Sequence, residues 1–273
     1  MPAIPLQTLR RRLEELLPLQ DNPALFKRGL ERLLDQYSDR SYRPGETITV
    51  NAISEQWLVP QVVLREVDAF LSTWATQHPQ KALELCDLLW QGQTYPLRYM
   101  AARLLGALSG TASEAIFARL KRWAEETQVD AQAWRFVLMV GEILQATALT
   151  TWLGLIQGWL TSNTSAQQKL ALRAMESLVK EHTYENLPVI YQWLTTYMRD
   201  PNAVPSHELI ALLQALAKRS PAETAYFLRQ IRSIVSPTIA RRIVRATLPA
   251  FPAEYQQHLR DMLKGQGMEH PPS

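Results

Sequence analysis

Apolar residues recur at every third or fourth position along most of the chain, and this spacing predicts α-helices. A typical set is Leu64, Val67, Phe70, Leu71 and Trp74. Strict alternation of apolar and polar residues is rare, and Ile48–Ile53 is the one short segment that we expect to be extended. The pattern therefore predicts an all-α protein.

Proline repeatedly stands at the start of an apolar-periodic segment, where its missing backbone N–H removes no helical hydrogen bond. These prolines are Pro60, Pro79, Pro96, Pro205, Pro221, Pro237 and Pro252. Starts that open pairs of helices recur roughly every 32–40 residues, near Pro60, Pro96, Asp130, Ser165, Pro205 and Pro237. This period is typical of an α-solenoid of HEAT-like antiparallel helix pairs, in which each pair buries its apolar face against its neighbours. An irregular all-α bundle is the alternative.

Three segments follow from this pattern. Residues 1–50 are predicted to form an N-terminal helix pair and a linker, because Ser38–Asn51 carries Pro44 and Gly45. Residues 51–264 form the HEAT-like repeat array, and residues 265–273 are expected to be a disordered tail.

The charge balance permits an anionic partner but does not require one. Lys and Arg number 29 and Asp and Glu 26, which leaves a net charge of only +3, so a basic face must come from clustering. Basic residues cluster at Arg10–Arg12, at Arg119, Lys121 and Arg122, at Lys218 and Arg219, and at Arg229, Arg232, Arg241, Arg242 and Arg245. We expect a concave surface lined by the second helix of each pair, on which such clusters bind phosphates. The alternative is that they are solvated faces paired with Asp and Glu.

Other chemistry is scarce in the sequence. There is no glycine-rich phosphate loop, and the five histidines have no ligand spacing, so we expect no metal and no other cofactor. The single cysteine, Cys86, excludes an internal disulfide and fits a reducing compartment. With no signal-like segment and no membrane-spanning run, the sequence predicts a cytoplasmic protein.

The segment LWQGQTYPLRYMAARLLG, Leu89–Gly106, resembles a signature of the bacterial HEAT-like repeat alkylpurine DNA glycosylases, the AlkD family. Its matching residues are Leu89, Trp90, Arg98, Ala101, Leu104, Leu105 and Gly106, whereas Pro96 stands where the family has a glutamate. Further matches are Trp159, Ser162 and Ala171, and then Lys218, Pro221 and Phe227. The resemblance extends over Val59–Arg229.

The resemblance implies recognition of alkylated duplex DNA by a positively charged concave surface, with cleavage of the glycosidic bond and no flipping of the base into a pocket. It also implies a tryptophan, an aspartate one turn later, an arginine and a second tryptophan that stabilise the cationic sugar electrostatically. Trp134 matches the first tryptophan, but Leu138 occupies the aspartate position and Lys169 the arginine position. Ala211 occupies the position of the second tryptophan, and Ala166 that of a tryptophan just before the arginine.

Loss of the carboxylate matters most, because a leucine cannot stabilise an oxocarbenium-like transition state. Glu142 lies a further turn along, and we place it on the same helix face as Trp134 and Leu138. Trp134, Glu142 and Lys169 are therefore the catalytic candidates. A carboxylate in this setting is more often a paired residue at a helix edge, and such a tryptophan is more often part of the core.

These observations favour a DNA-binding HEAT-like repeat protein related to the alkylation repair glycosylases but without base excision. It would bind duplex DNA, damaged or branched, through Lys169, Arg241, Arg242 and Arg245. One alternative is an active alkylpurine glycosylase that uses Trp134, Glu142 and Lys169. The other is a scaffold for protein partners, since α-solenoids often have that role and a fold does not determine a function. The sequence predicts no oligomeric state.

Overall fold

The computed structural model describes residues 5–38, 59–92, 94–110, 113–127, 133–200 and 206–264. Within these ranges the chain forms fourteen α-helices and three single 3-10 turns, and no described residue lies in a strand. The helices are α1 (Leu6–Glu14), α2 (Pro23–Gln36), α3 (Gln61–Gln77), α4 (Pro79–Gln91), α5 (Tyr95–Ala107), α6 (Ser113–Glu126), α7 (Trp134–Thr147), α8 (Leu149–Leu160), α9 (Ser165–Lys180), α10 (Leu187–Met198), α11 (His207–Arg219), α12 (Pro221–Gln230), α13 (Pro237–Thr247) and α14 (Ala253–Lys264). The all-α prediction is confirmed. None of the described helices is long and apolar enough to cross a membrane.

The predicted starts of the helix pairs agree with the beginnings of α3, α5, α7, α9, α11 and α13. Pro79, Pro96, Pro221 and Pro237 occupy the first two positions of their helices, where the backbone N–H would have no helical acceptor. Asp130, Pro205, the Ile48–Ile53 segment, linker residues 39–51 and the tail at 265–273 lie outside the described residues. The division at residues 50 and 51 therefore stays a prediction.

The chain divides into two compact units, Met1–Trp152 and Leu153–Ser273. In the first unit the first helices of the pairs pack in sequence, α1 on α3, α3 on α5 and α5 on α7. The second helix α2 packs on α4, and α4 packs on α3 and α5, so apolar faces are covered from both sides. This is the stacked helix-pair arrangement that the period of the sequence predicts.

Large aromatic side chains fill the first unit. Trp123 is fully buried, and its ring stacks on Trp90 with centroids 3.9 Å apart. The Trp90 indole N–H donates a 2.6 Å hydrogen bond to Glu126, which ties the end of α4 to α6. Removing an aromatic side chain of this size from a core typically costs about 3–5 kcal/mol.

The second unit repeats the arrangement. α9 packs on α11 and α11 on α13, so that α11 lies between the other two first helices. Among the second helices, α12 packs on α14, and Tyr191 of α10 shares a 2.8 Å hydrogen bond with Thr224 of α12. The row of first helices in this unit carries most of the candidate binding residues.

Candidate nucleic-acid interface

Helix α13 separates its apolar and basic residues sharply. Ser236 caps its N-terminus by accepting a hydrogen bond from the Ile239 N–H, and Pro237 occupies the first helical position. Ala240, Ile243, Val244 and Thr247 are buried on one side of the helix. The other side exposes Arg241, Arg242 and Arg245, which we call the arginine face. The Ser236 cap and Pro237 set where α13 begins. The apolar spacing then leaves the three guanidinium groups on the exposed side of the helix.

The arginine face has no acidic partner among the described residues. Arg242 and Arg245 make no ion pair or hydrogen bond with a described residue, and Arg241 donates only a long 3.4 Å hydrogen bond to the Pro237 carbonyl. Like charges three or four residues apart on a helix repel each other by a few tenths of a kcal/mol. An anionic partner that approaches this face would remove that repulsion.

Two of the other basic clusters, on α1 and α6, are largely neutralised. Arg10 forms a 2.7 Å ion pair with Glu66. Arg119 and Arg122 both form ion pairs with Asp87. The guanidinium of Arg119 lies 2.6 Å from the Asp87 carboxylate. The interpretation of charge runs as solvated, paired faces therefore describes these clusters but does not describe the arginine face.

Arg219 has a structural role. Its guanidinium donates hydrogen bonds to the carbonyl oxygens of Val179, Glu181, His182 and Tyr184, at 2.7, 2.8 and 3.3 Å for the first three. These carbonyls lie in the last turn of α9 and in the residues just after it, where backbone acceptors lack helical partners. Arg219 thus ties α11 to the end of α9, and its donors are not available for a phosphate.

Lys169 lies in the second turn of α9, on the same row of helices. Its side chain is half-buried and makes no ion pair with a described residue. Between α9 and α13, the outer side of α11 carries the small residues Ala211 and Ala215 and the amide of Gln214, which donates a 2.8 Å hydrogen bond to the Ala246 carbonyl. The outer side of α11 therefore carries no bulky side chain at these two positions.

An ion pair joins α9 and α11 beside Lys169. Arg173 lies 3.3 Å from Glu208, which is almost completely buried. Burial favours the neutral carboxyl of Glu208, but hydrogen bonds from its own backbone N–H, from Ser206 and from Arg173, together with the Arg173 charge, lower its pKa overall. The carboxylate is therefore charged near neutral pH, and its charge is matched by Arg173.

A cleft of 1220 Å³ opens at the edge of the second unit where α9 and α11 begin. Lys169 lies in its wall together with Trp193 and Tyr197, which are one turn apart on α10. Its other lining residues are Gln157, Leu160, Thr161, Ser162, Asn163, Ser165, Gln168, Gln192, Thr196, Asp200, Ser206, His207 and Glu208. Burial raises the pKa of the Tyr197 phenol, and the charges of Asp200 and Glu208 raise it further, so the phenol remains protonated and able to donate.

The sequence did not identify this cleft. Trp193 and Tyr197 occur in LPVIYQWLTTYM, whose spacing is that of an ordinary core-facing helix. Nothing in that spacing distinguishes a half-buried tryptophan in a cleft wall from a tryptophan in the core. The position of α10 relative to α9 and α11 is what gives Trp193 its setting.

The three catalytic candidates occupy different environments. Trp134 is only 4% exposed, and its indole N–H donates a 3.1 Å hydrogen bond to the Thr127 carbonyl. Leu138 is half-buried and Glu142 is exposed. Because each step of four residues turns a helix by roughly 40°, Glu142 has rotated roughly 80° away from Trp134. The expected common face of Trp134, Leu138 and Glu142 is therefore not formed.

Lys169 and the arginine face belong to the second unit, whereas Trp134 and Glu142 belong to the first. All of these residues lie on the first helices of their pairs, in contrast to the expected surface of second helices. Among the described residues, no group of three His, Cys, Asp or Glu side chains is placed to hold a metal ion.

Stacked helix pairs define a helical-repeat protein, and α13 carries a basic face with no ion pair among the described residues. A family model described as DNA alkylation repair enzyme matches residues 61–245, about two thirds of the chain. The chain belongs to this family of HEAT-like helical repeat proteins, which confirms the resemblance inferred from the sequence. The match runs from the start of α3 to Arg245 on α13. Searches of curated proteins and of solved structures give no significant match.

Proposed function

We propose that this protein binds duplex DNA through the arginine face and Lys169 and does not excise bases. The observation that carries the binding proposal is the absence of an ion pair at Arg241, Arg242 and Arg245 among the described residues, while the clusters on α1 and α6 contain arginines paired with carboxylates. Unpaired guanidinium groups on one helix face bind phosphates and release condensed counterions from DNA, which favours association. Family membership supports DNA as the polyanion.

Two positions support the loss of base excision. Leu138 stands where the resemblance implies a carboxylate, and a hydrocarbon side chain gives no electrostatic stabilisation to a cationic sugar. Trp134, at the position of the first tryptophan, is buried and hydrogen-bonded within its own unit. Neither residue presents to DNA the group that the chemistry needs.

The test of binding is fluorescence anisotropy with a labelled duplex over a series of salt concentrations. Replacing all three residues of the arginine face with alanine should weaken binding at low salt. It should also change how steeply affinity depends on salt. The slope of the logarithm of the binding constant against the logarithm of the salt concentration should become shallower by about 3, since each lost phosphate contact contributes about 0.9.

The matched control replaces Arg10, Arg11 and Arg12 with alanine, which changes the net charge by the same amount on α1. We expect that control to leave the slope almost unchanged, because Arg10 and Arg11 are already paired with Glu66 and Glu15. Equal slopes for the wild type and the α13 variant would overturn the proposal. A wild type that binds no duplex even at low salt would overturn it as well, and would direct attention to a protein partner.

A further inference from the structure

The wall of the cleft beside Lys169 carries an aromatic ring and several side-chain amides, none of which has a partner among the described residues. Trp193 is half-buried in its wall, and its indole makes no hydrogen bond or ring contact with a described residue. The side-chain amides of Gln157, Asn163 and Gln192 line the cleft, also without a described hydrogen-bond partner. A flat aromatic surface flanked by groups that both donate and accept suits a planar heterocycle with polar edges.

A cation lies in the same wall. Lys169 makes no ion pair with a described residue, although Asp200 and Glu208 also line the cleft. Glu208 is already matched by Arg173 at 3.3 Å. Lys169 is therefore placed to bind an anionic group that accompanies the heterocycle.

The backbone next to Lys169 adds donors. Thr164 precedes α9 but its side chain does not cap the helix, so the N–H groups of Ser165, Ala166 and Gln167 have no acceptor among the described residues. The Ser162 hydroxyl accepts instead from the Thr164 N–H, and the Gln168 amide donates to the Ser162 carbonyl. Free N–H groups at a helix start attract phosphate, here on the same side of the cleft as Lys169.

From this arrangement we infer that the cleft holds one unstacked nucleotide of the bound DNA. The base lies against Trp193 and is hydrogen-bonded by the amides, and the phosphate is bound by Lys169 and the start of α9. The volume of 1220 Å³ exceeds the roughly 300–1,000 Å³ of ordinary small-molecule sites, so a whole nucleotide fits. The inference rests on the proposed DNA binding and adds to it a preference for DNA in which a nucleotide is already unpaired, since unstacking a paired base is costly.

The experiment compares a perfect duplex with the same duplex carrying one extra 2-aminopurine nucleotide. Anisotropy measures affinity, and 2-aminopurine emission reports stacking on an indole. We expect the bulged duplex to bind about tenfold more tightly than the perfect one, and its emission to fall on binding. Trp193→Leu should abolish the tenfold gain and the loss of emission, while its affinity for the perfect duplex stays unchanged.

The matched control is Tyr226→Leu, which removes an aromatic ring that is 61% exposed on α12 and outside the cleft. It should keep the preference for the bulged duplex. Equal wild-type affinities for the two duplexes, or a preference that survives in Trp193→Leu, would overturn the inference while leaving the proposed duplex binding intact. Wild-type protein that binds neither duplex overturns both.

A second measurement needs no substitution. Amide hydrogen exchange at Ser165, Ala166 and Gln167 should slow more with the bulged duplex than with the perfect duplex, because a phosphate then accepts from these N–H groups. Equal protection by both duplexes would contradict the inference. The same emission measurement is made with free 2-aminopurine deoxyribonucleoside monophosphate. If its emission is quenched in a Trp193-dependent way at the same concentrations as the bulged DNA, the cleft binds a free nucleotide. That result would overturn the DNA assignment.

Discussion

At the scale of single residues, three arginines among the described residues illustrate different roles. Arg219 binds backbone carbonyls at the end of α9, Arg119 binds Asp87 between two helices, and Arg242 faces solvent on α13 with no described partner. A guanidinium group offers five donors in a planar fork and stays charged, so its role depends entirely on which acceptors lie near it. Of these three, only Arg242 is available to an external partner.

Replacing Arg219 with glutamine should destabilise the second unit by about 2–3 kcal/mol, because several carbonyl oxygens at the end of α9 lose a charged donor. Urea unfolding followed by circular dichroism measures the change. Lys218→Gln removes the same charge from the adjacent exposed position and should change stability by less than about 0.5 kcal/mol. Similar effects of the two substitutions would show that the hydrogen bonds of Arg219 contribute nothing specific.

Glu208 should make stability depend on pH in the acidic range. Its pKa is lower in the folded protein than the ordinary value of 4.5, so its contribution is complete above that value and disappears as the pH falls through the folded pKa. Glu208→Gln removes the charge that Arg173 binds. The difference in unfolding free energy between the wild type and this variant should be constant near neutral pH and shrink below about 4.5. A difference that is the same at all pH values would contradict the assignment.

At the scale of helices, close approach depends on small residues at defined positions. A Cβ atom at Gly141 of α7 would overlap the indole ring of Trp152 at the start of α8. Trp152 is 1% exposed, so its ring has little room to move. Gly154 of α8 has open space where a Cβ would lie. Two glycines in neighbouring helices therefore differ in what they contribute.

Gly141→Ala should lower the free energy of unfolding by about 1–3 kcal/mol, because overpacking exceeds the gain in helix propensity. Gly154→Ala should instead raise it by about 0.5–1 kcal/mol, since only the propensity term acts there. Thermal unfolding of the two variants checks both signs. A stabilising Gly141→Ala would mean that Trp152 moves aside without cost.

At the scale of the whole molecule, the small net charge of +3 hides an uneven distribution. Arg10 on α1, Arg119 on α6 and Arg173 on α9 are paired with carboxylates on other helices, whereas the arginines of α13 have no such partner among the described residues. Binding to a polyanion depends on the local field of such a patch more than on the total charge. Overall composition is therefore a poor guide to the partner of this chain.

Wild-type protein should release no purine from methylated duplex DNA above the rate in buffer, even under conditions where the DNA is fully bound. Leu138→Asp should not restore release, because Trp134 remains buried. Chromatography of the released bases measures this, with heat-treated DNA giving the total available. Release by the wild type that is abolished in Glu142→Gln would instead establish the glycosylase alternative.

The sequence by itself determined the elements of this protein. Apolar spacing and prolines such as Pro221 and Pro237 specify where helices begin, since both act within a single turn of the chain, and Leu89–Gly106 identified the family. The tertiary structure decided which charges are free, because Asp87 and Glu208 come from helices other than those of the arginines they bind. It also placed Trp134 in the core and Trp193 in a cleft. Such differences depend on how neighbouring helices pack. The spacing of apolar residues within one helix does not specify that packing.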